Sequence, residues 1–212
     1  MNSGAGVTAA LFGVGFAGIA LAQAPNPNDA ASVKAWQAKN NISERTSNPD
    51  TGWQPITANF LQPGWAATHW PMVERGCAQA GLKADRSHWR VCKSVFVAND
   101  DATARRYALD PQGPYGFYYW NLLAKRKSGG GSVDIFKHDP DMPDAAVTVD
   151  NLLDTLVICG SVERVVEQIL AFRETVGDFG TLLYAGHDWA DPALARRSME
   201  LMAEQVMPRV NA

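Results

Sequence analysis

Two pairs of segments do most to constrain this chain. WRVCKSVFVA (89–98) runs apolar on both faces, as a strand covered on both sides does, and NDDATARRYAL (99–109) follows with polar N-cap residues and a helical pattern. SVERVVEQILAFRETVG (161–177) places Val162, Val165, Val166, Ile169 and Leu170 on one helical face, and FGTLLYA (179–185) then reads as a buried strand. Helices and apolar strands that alternate in this way predict parallel β/α units, because parallel neighbours need a crossover and the crossover is usually a helix.

The same reading extends to either side. WQPITANFL (53–61) is a short strand, and PMVERGCAQAG (71–81) is a helix closed by Gly81. GPYGFYYWNLLAKRK (113–127) is an aromatic helical insertion, SGGGS (128–132) a break, KHDPDMPDAAVT (137–148) an irregular loop, and VDNLLDTLV (149–157) a short helix. Ser161 and Asp191 are N-caps, Gly177 ends the helix before it, and Pro192 takes the first helical position. Leu194, Leu201, Met202 and Val206 form the last apolar face, which Pro208 stops. The fold class is α/β.

Residues 1–51 differ from residues 52–212, which form the domain proper. GVTAALFGVGFAGIALAQA (6–24) carries no charge and ends small-x-small, like a secretory signal, but it lacks a positive start and contains four glycines. A cytoplasmic location is expected, with export through this segment as the alternative. Three widely spaced cysteines without a CxxC motif indicate neither a disulfide framework nor a zinc site, and no metal is expected. A net charge of −3 with one short basic run, Lys125–Lys127, gives no reason to expect nucleic acid as a partner.

In α/β folds the chemistry gathers at the C-terminal ends of the strands. The candidates at that end are Thr57 and Asn59, His69 and Trp70, Tyr118 and Tyr119 within the aromatic insertion, and the adjacent His187 and Asp188. Each has a structural alternative. His187 and Asp188 are either an acid–base pair or turn residues; His69 and Trp70 line a pocket or form a buried corner; Asn59 meets a ligand or satisfies a loop. Tyr118 and Tyr119 wall a pocket or fill the core. No Ser nucleophile elbow, EF-hand loop or Gly-rich phosphate signature is present, so catalytic residues are not assigned.

GWQPITANFLQPGWAATHW, WRVCKSVFVANDDATAR, LVICGSVERVVEQILAFRETVGDFGTLLYAGHDW and RRSMELMAEQVMP together resemble the C-terminal half of the bacterial luciferase-like, flavin-dependent monooxygenases. The Gly-Ser-x-Glu-x-Val helix start, the Gly-x-Phe-Gly strand and the closing Met-Pro carry most of the likeness. The resemblance implies part of a TIM-type (β/α)8 barrel, roughly its last three β/α units plus a helical insertion. It implies reduced FMN (FMNH2) as cofactor, or the deazaflavin F420 as in some relatives, and oxygenation of a small apolar organic substrate by O2.

On this basis Thr57 and Asn59 approach the flavin, while His69, Trp70, Tyr118, Tyr119, His187 and Asp188 shape the substrate pocket. A flavin reductase is the implied supplier of reduced cofactor. Family members are longer, so a truncated gene product is expected, with an oligomer or partner chain covering the open strand edges. The alternative is a non-catalytic remnant or partner subunit without a complete flavin site.

Overall fold

The computed structural model describes residues 54–187 and 189–212. The expected boundary after residue 51, the apolar stretch before it and Asp188 lie outside the described residues.

The fold is α/β, built on a four-stranded parallel sheet. Strand β2 (Arg90–Val97) is its centre. Arg90 pairs with both Ile56 of β1 (Ile56–Thr57) and Thr181 of β4 (Thr181–Ala185), so β1 and β4 lie on opposite edges of β2. Ser94 pairs with both Ala185 of β4 and Val157 of β3 (Val157–Gly160), so β3 continues the edge that β1 begins. Because every pair is parallel, the loops after β1, β2 and β4 emerge at one end of the sheet.

Strand alternation splits β2 between two layers of helix. Val91, Lys93, Val95 and Val97 face one side. Val95 and Val97 pack there with α6 (Val162–Val176) and with the C-terminal residues Leu201, Met202 and Val206. Val91 packs with Trp70, Val73 and Cys77 of α2 (His69–Gln79), which follows the short α1 (Pro63–Ala67). Phe96 faces the opposite layer, formed by α3 (Asp101–Ala108), α4 (Pro114–Ser128) and α5 (Val149–Leu156). Apolarity on both faces of WRVCKSVFVA is the consequence.

The predicted caps form. Asp100 accepts from Thr103 N, Ser161 from Arg164 N, and Asp191 from both Ala193 N and Leu194 N, each satisfying N–H groups that a helix start leaves orphaned. Gly177 (φ 88°) closes α6 in a conformation that L side chains rarely adopt.

Four expectations are corrected. Only Ile56 and Thr57 of the WQPITANFL segment form ladder pairs, since the chain turns away to start α1. Residues 157–160, where the sequence pattern places the end of one helix and the approach to the next and no strand, form β3 directly after α5. FGTLLYA is an edge strand whose residues are mostly half-buried, because β2 is its pairing partner. Pro208 does not stop the last helix: α7 (Pro192–Leu201) runs into a π-helical stretch (Met202–Val206) and then α8 (Met207–Val210), so that Pro208 follows the wider turns of the π-helical stretch.

Candidate functional site

At the end of the sheet where the loops gather, a buried serine organises the polar side chains. Ser94 sits on the α4-facing side of β2, fully buried. Asn59, on the loop after β1, donates from Nδ2 to Ser94 Oγ at 2.9 Å. Tyr119 OH lies 3.0 Å from the same oxygen and His187 Nε2 2.8 Å from it. Tyr118 OH completes the chain by donating to Asn59 Oδ1 at 2.7 Å. Residues from the loop after β1, from β2, from α4 and from the loop after β4 are thereby tied to one hydroxyl.

Aromatic packing holds the histidine in place. The Tyr118 ring stacks on His187 with centroids 4.1 Å apart and planes 27° from parallel, while Tyr115 meets His187 edge-on at 4.6 Å. Consecutive residues on α4 point about 100° apart, so Tyr118 and Tyr119 reach two sides of the cluster and Tyr115, one turn earlier, reaches a third. Tyr115 also donates to Val95 O at 2.8 Å, pinning α4 to β2. Burial raises all three phenols, Tyr118 to about 12 and Tyr115 and Tyr119 well above the ordinary tyrosine value, so they stay protonated as donors.

Thr57, His69 and Trp70 belong to a second cluster. Thr57 is in register with Val91 and so shares its side of the sheet. Trp89 Nε1 donates to Thr57 Oγ1 at 2.9 Å, and Thr57 Oγ1 lies 2.9 Å from His69 Nδ1. With one lone pair taken by Trp89, the threonine proton is free to point at a neutral His69, whose pKa burial lowers. Trp70 is core: it stacks on Trp89 at 5.5 Å and donates to Glu74 Oε1 at 2.8 Å. Asn59, Tyr118, Tyr119 and His187 are therefore brought together, and Thr57, His69 and Trp70 are not brought to them.

A cleft of about 840 Å³ opens beside Gln62, lined also by Trp65, Thr68, Lys137, His138 and Thr155. Gln62 braces it by donating to Phe136 O and Thr155 Oγ1, at 3.0 and 2.8 Å. Lys137 is held by Asp134 and Asp144 at 2.8 and 2.7 Å. Of the whole site, sequence reasoning missed Ser94 and this cleft. The signal for Ser94 was present, as a small polar residue inside an otherwise apolar strand.

No family model matches the chain. Among curated proteins it is 31% identical over 143 residues to 3,6-diketocamphane 1,6-monooxygenase of Pseudomonas putida, covering 67% of this chain and 37% of the relative. It is likewise 31% identical over 149 residues to limonene 1,2-monooxygenase of Rhodococcus erythropolis, covering 68% and 34%. The chain thus spans little more than a third of the length of these relatives, at 37% and 34%.

Among solved structures, the oxygenating constituent of 3,6-diketocamphane monooxygenase from Pseudomonas putida, a type II Baeyer-Villiger monooxygenase in complex with FMN, superposes with a TM-score of 0.64 at 29% identity. The match covers 79% of this chain and 44% of that one. A monooxygenase from Streptomyces bottropensis shares the fold, with a TM-score of 0.51 at 19% identity over 79% of this chain and 44% of its own. Sequence and fold both point to these monooxygenases, and the chain belongs to the luciferase-like flavin-dependent monooxygenase family.

Proposed function

We propose that the described residues form one wall of a flavin site in a monooxygenase that oxygenates a small apolar cyclic ketone or alkene with reduced FMN and O2. The observation that carries this reading is the likeness to a solved relative in complex with FMN, which extends over 79% of this chain. On the same reading the sheet is part of a (β/α)8 barrel, with β1, β2 and β4 as successive staves and β3 an accessory strand. The order of these three across the sheet, which matches their order in the chain, supports it.

The donor set suits a flat conjugated ring. Asn59, Ser94, Tyr118 and Tyr119 are uncharged, their hydrogen bonds run mainly among themselves, and the half-buried Tyr118 and His187 are the rings a ligand can reach. Apolar walls with a few fixed polar groups are what cofactor sites generally present. Bound reduced flavin supplies the electrons for oxygen activation, delivered as free reduced cofactor by a flavin reductase. The chain's own part is to orient the ligand through Asn59 and His187 and to keep water out with Tyr115, Tyr118 and Tyr119.

The test is a titration of the purified protein with FMN and separately with F420, followed by flavin fluorescence, and then oxygen uptake with reduced FMN and a bicyclic ketone. Saturable FMN binding and ketone-dependent uptake are expected. Failure of FMN to bind would overturn the reading.

A further inference from the structure

Ser94 Oγ has one proton and two lone pairs, and three partners surround it. Tyr118 donates to Asn59 Oδ1, which turns the amide so that Nδ2 must donate to Ser94. One lone pair and one proton remain for Tyr119 and His187. If His187 Nε2 is bare, Ser94 donates to it and accepts from Tyr119, and every group in the chain is satisfied. If Nε2 carries a proton, the direction reverses: His187 donates to Ser94, Ser94 donates to Tyr119, and the phenolic proton of the fully buried Tyr119 loses its acceptor.

We infer that Ser94 is the positioning residue of this site, holding His187 as a neutral imidazole with Nε2 as acceptor and the ring proton on Nδ1. This rests on the flavin reading only for its purpose, which is to present the ligand with a histidine of one tautomer in one orientation. The described groups that pack around the ring are uncharged. From α4 the ring meets the phenols of Tyr115, Tyr118 and Tyr119, and on β2 Cys92 lies two residues from Ser94 on the same face; burial raises all four groups, which keeps them uncharged. On β4, the strand before its loop, Tyr184 is also raised by burial. Asn59, from the β1 loop, carries no charge. Stacking against Tyr118 fixes the ring plane, and the 2.8 Å contact with Ser94 Oγ holds Nε2 at the hydroxyl.

The experiment is long-range 1H–15N NMR of histidine-labelled protein across pH 5–9, in the wild type, S94A and S94T, with an FMN titration on each sample. In the wild type the His187 signal should show the Nδ1–H tautomer at neutral pH. S94A should raise the protonation midpoint of His187 by about half a pH unit or more, and S94T, which keeps a hydroxyl, should restore it. An Nε2–H tautomer in the wild type overturns the inference, as does a midpoint unchanged in S94A. The wild-type tautomer decides even if S94A does not fold. Correct tautomer without FMN binding defeats the flavin reading alone, and FMN binding with the Nε2–H tautomer defeats this inference alone.

Discussion

Lys93 Nζ lies 4.9 Å from the centroid of the Phe172 ring, between β2 and α6, with the residue 3% exposed. A ring face returns only part of what an ammonium group loses on leaving water. Desolvation accordingly lowers the Lys93 pKa from 10.5 to about 8. Between these values the unfolded chain holds a proton that the folded chain has released, so stability rises as pH climbs from about 8 to 10.5. Below that window the full cost of the buried charge, on the order of 3 kcal/mol, is present. Lys93→Met removes the charge and keeps the volume. Urea unfolding should show the variant more stable at pH 7 by about 1–3 kcal/mol and flat where the wild type gains stability; equal slopes would contradict the account.

His69 behaves in the opposite pH range. Burial lowers its pKa below 6.5, and Thr57 Oγ1 sits at Nδ1, the nitrogen that must stay bare. As pH falls below 6.5 the unfolded histidine takes up a proton that the folded one resists, so stability drops until the folded pKa is passed. His69→Gln keeps an acceptor for Thr57 without this titration. Thermal unfolding between pH 4 and pH 7 should therefore fall less steeply for the variant than for the wild type. A parallel pair of curves would show that His69 is not desolvated.

How legible the fold was depended on whether a signal was local. The Asp100, Ser161 and Asp191 caps and the Gly177 stop are local chemistry, and each appears where the residues place it. Strand β3 was not legible, because Leu156 ends a helix and Val157 begins a strand with no turn residue between them. Its apolar run fits either state, and only the ladder to Ser94–Val97 decides. Of the site, Asn59 and His187 could be marked by their position after strand ends, and Tyr118 and Tyr119 by the aromatic insertion. That they meet at Ser94 could not, since it depends on how α4 folds back over β2. The separation of Thr57 from Asn59 likewise follows from the chain leaving β1 after Thr57, which frees Asn59 from strand alternation.

Ser198 joins the last helix to the sheet. Its hydroxyl accepts from Val97 N at 2.8 Å and lies 3.0 Å from Tyr184 OH, with the residue fully buried. Ser198→Ala leaves a buried N–H at the end of β2 without its partner, at a cost of about 1–3 kcal/mol. Tyr184→Phe removes the other contact but leaves Val97 N satisfied, so its loss should be smaller. Chemical denaturation of the two variants ranks them, and a larger loss for Tyr184→Phe would count against this role for Ser198.

The two glycines of the Gly-x-Phe-Gly strand differ in what they tolerate. At Gly180 an added Cβ would stand 1.7 Å from Ser87 O. Neither backbone can retreat, because Gly180 N and Thr181 N both donate to Trp89 O, at 3.0 and 3.2 Å. At Gly177 the Cβ would meet Arg86 Nη1 at 2.6 Å, the end of a long side chain that can shift only by loosening its bond to Asp178 O, and the residue's own penalty is its φ of 88°. Gly177→Ala should therefore cost about 1–3 kcal/mol, the strain of an L residue at φ 88° and ψ 178°, a region that glycine almost alone adopts. Gly180→Ala should cost more than about 4 kcal/mol or prevent folding, since the start of β4 must part from the turn before β2. Soluble yield and denaturation midpoints of the two variants measure the difference. Equal tolerance at both positions would mean that β4 does not dock against β2 as closely as this packing requires.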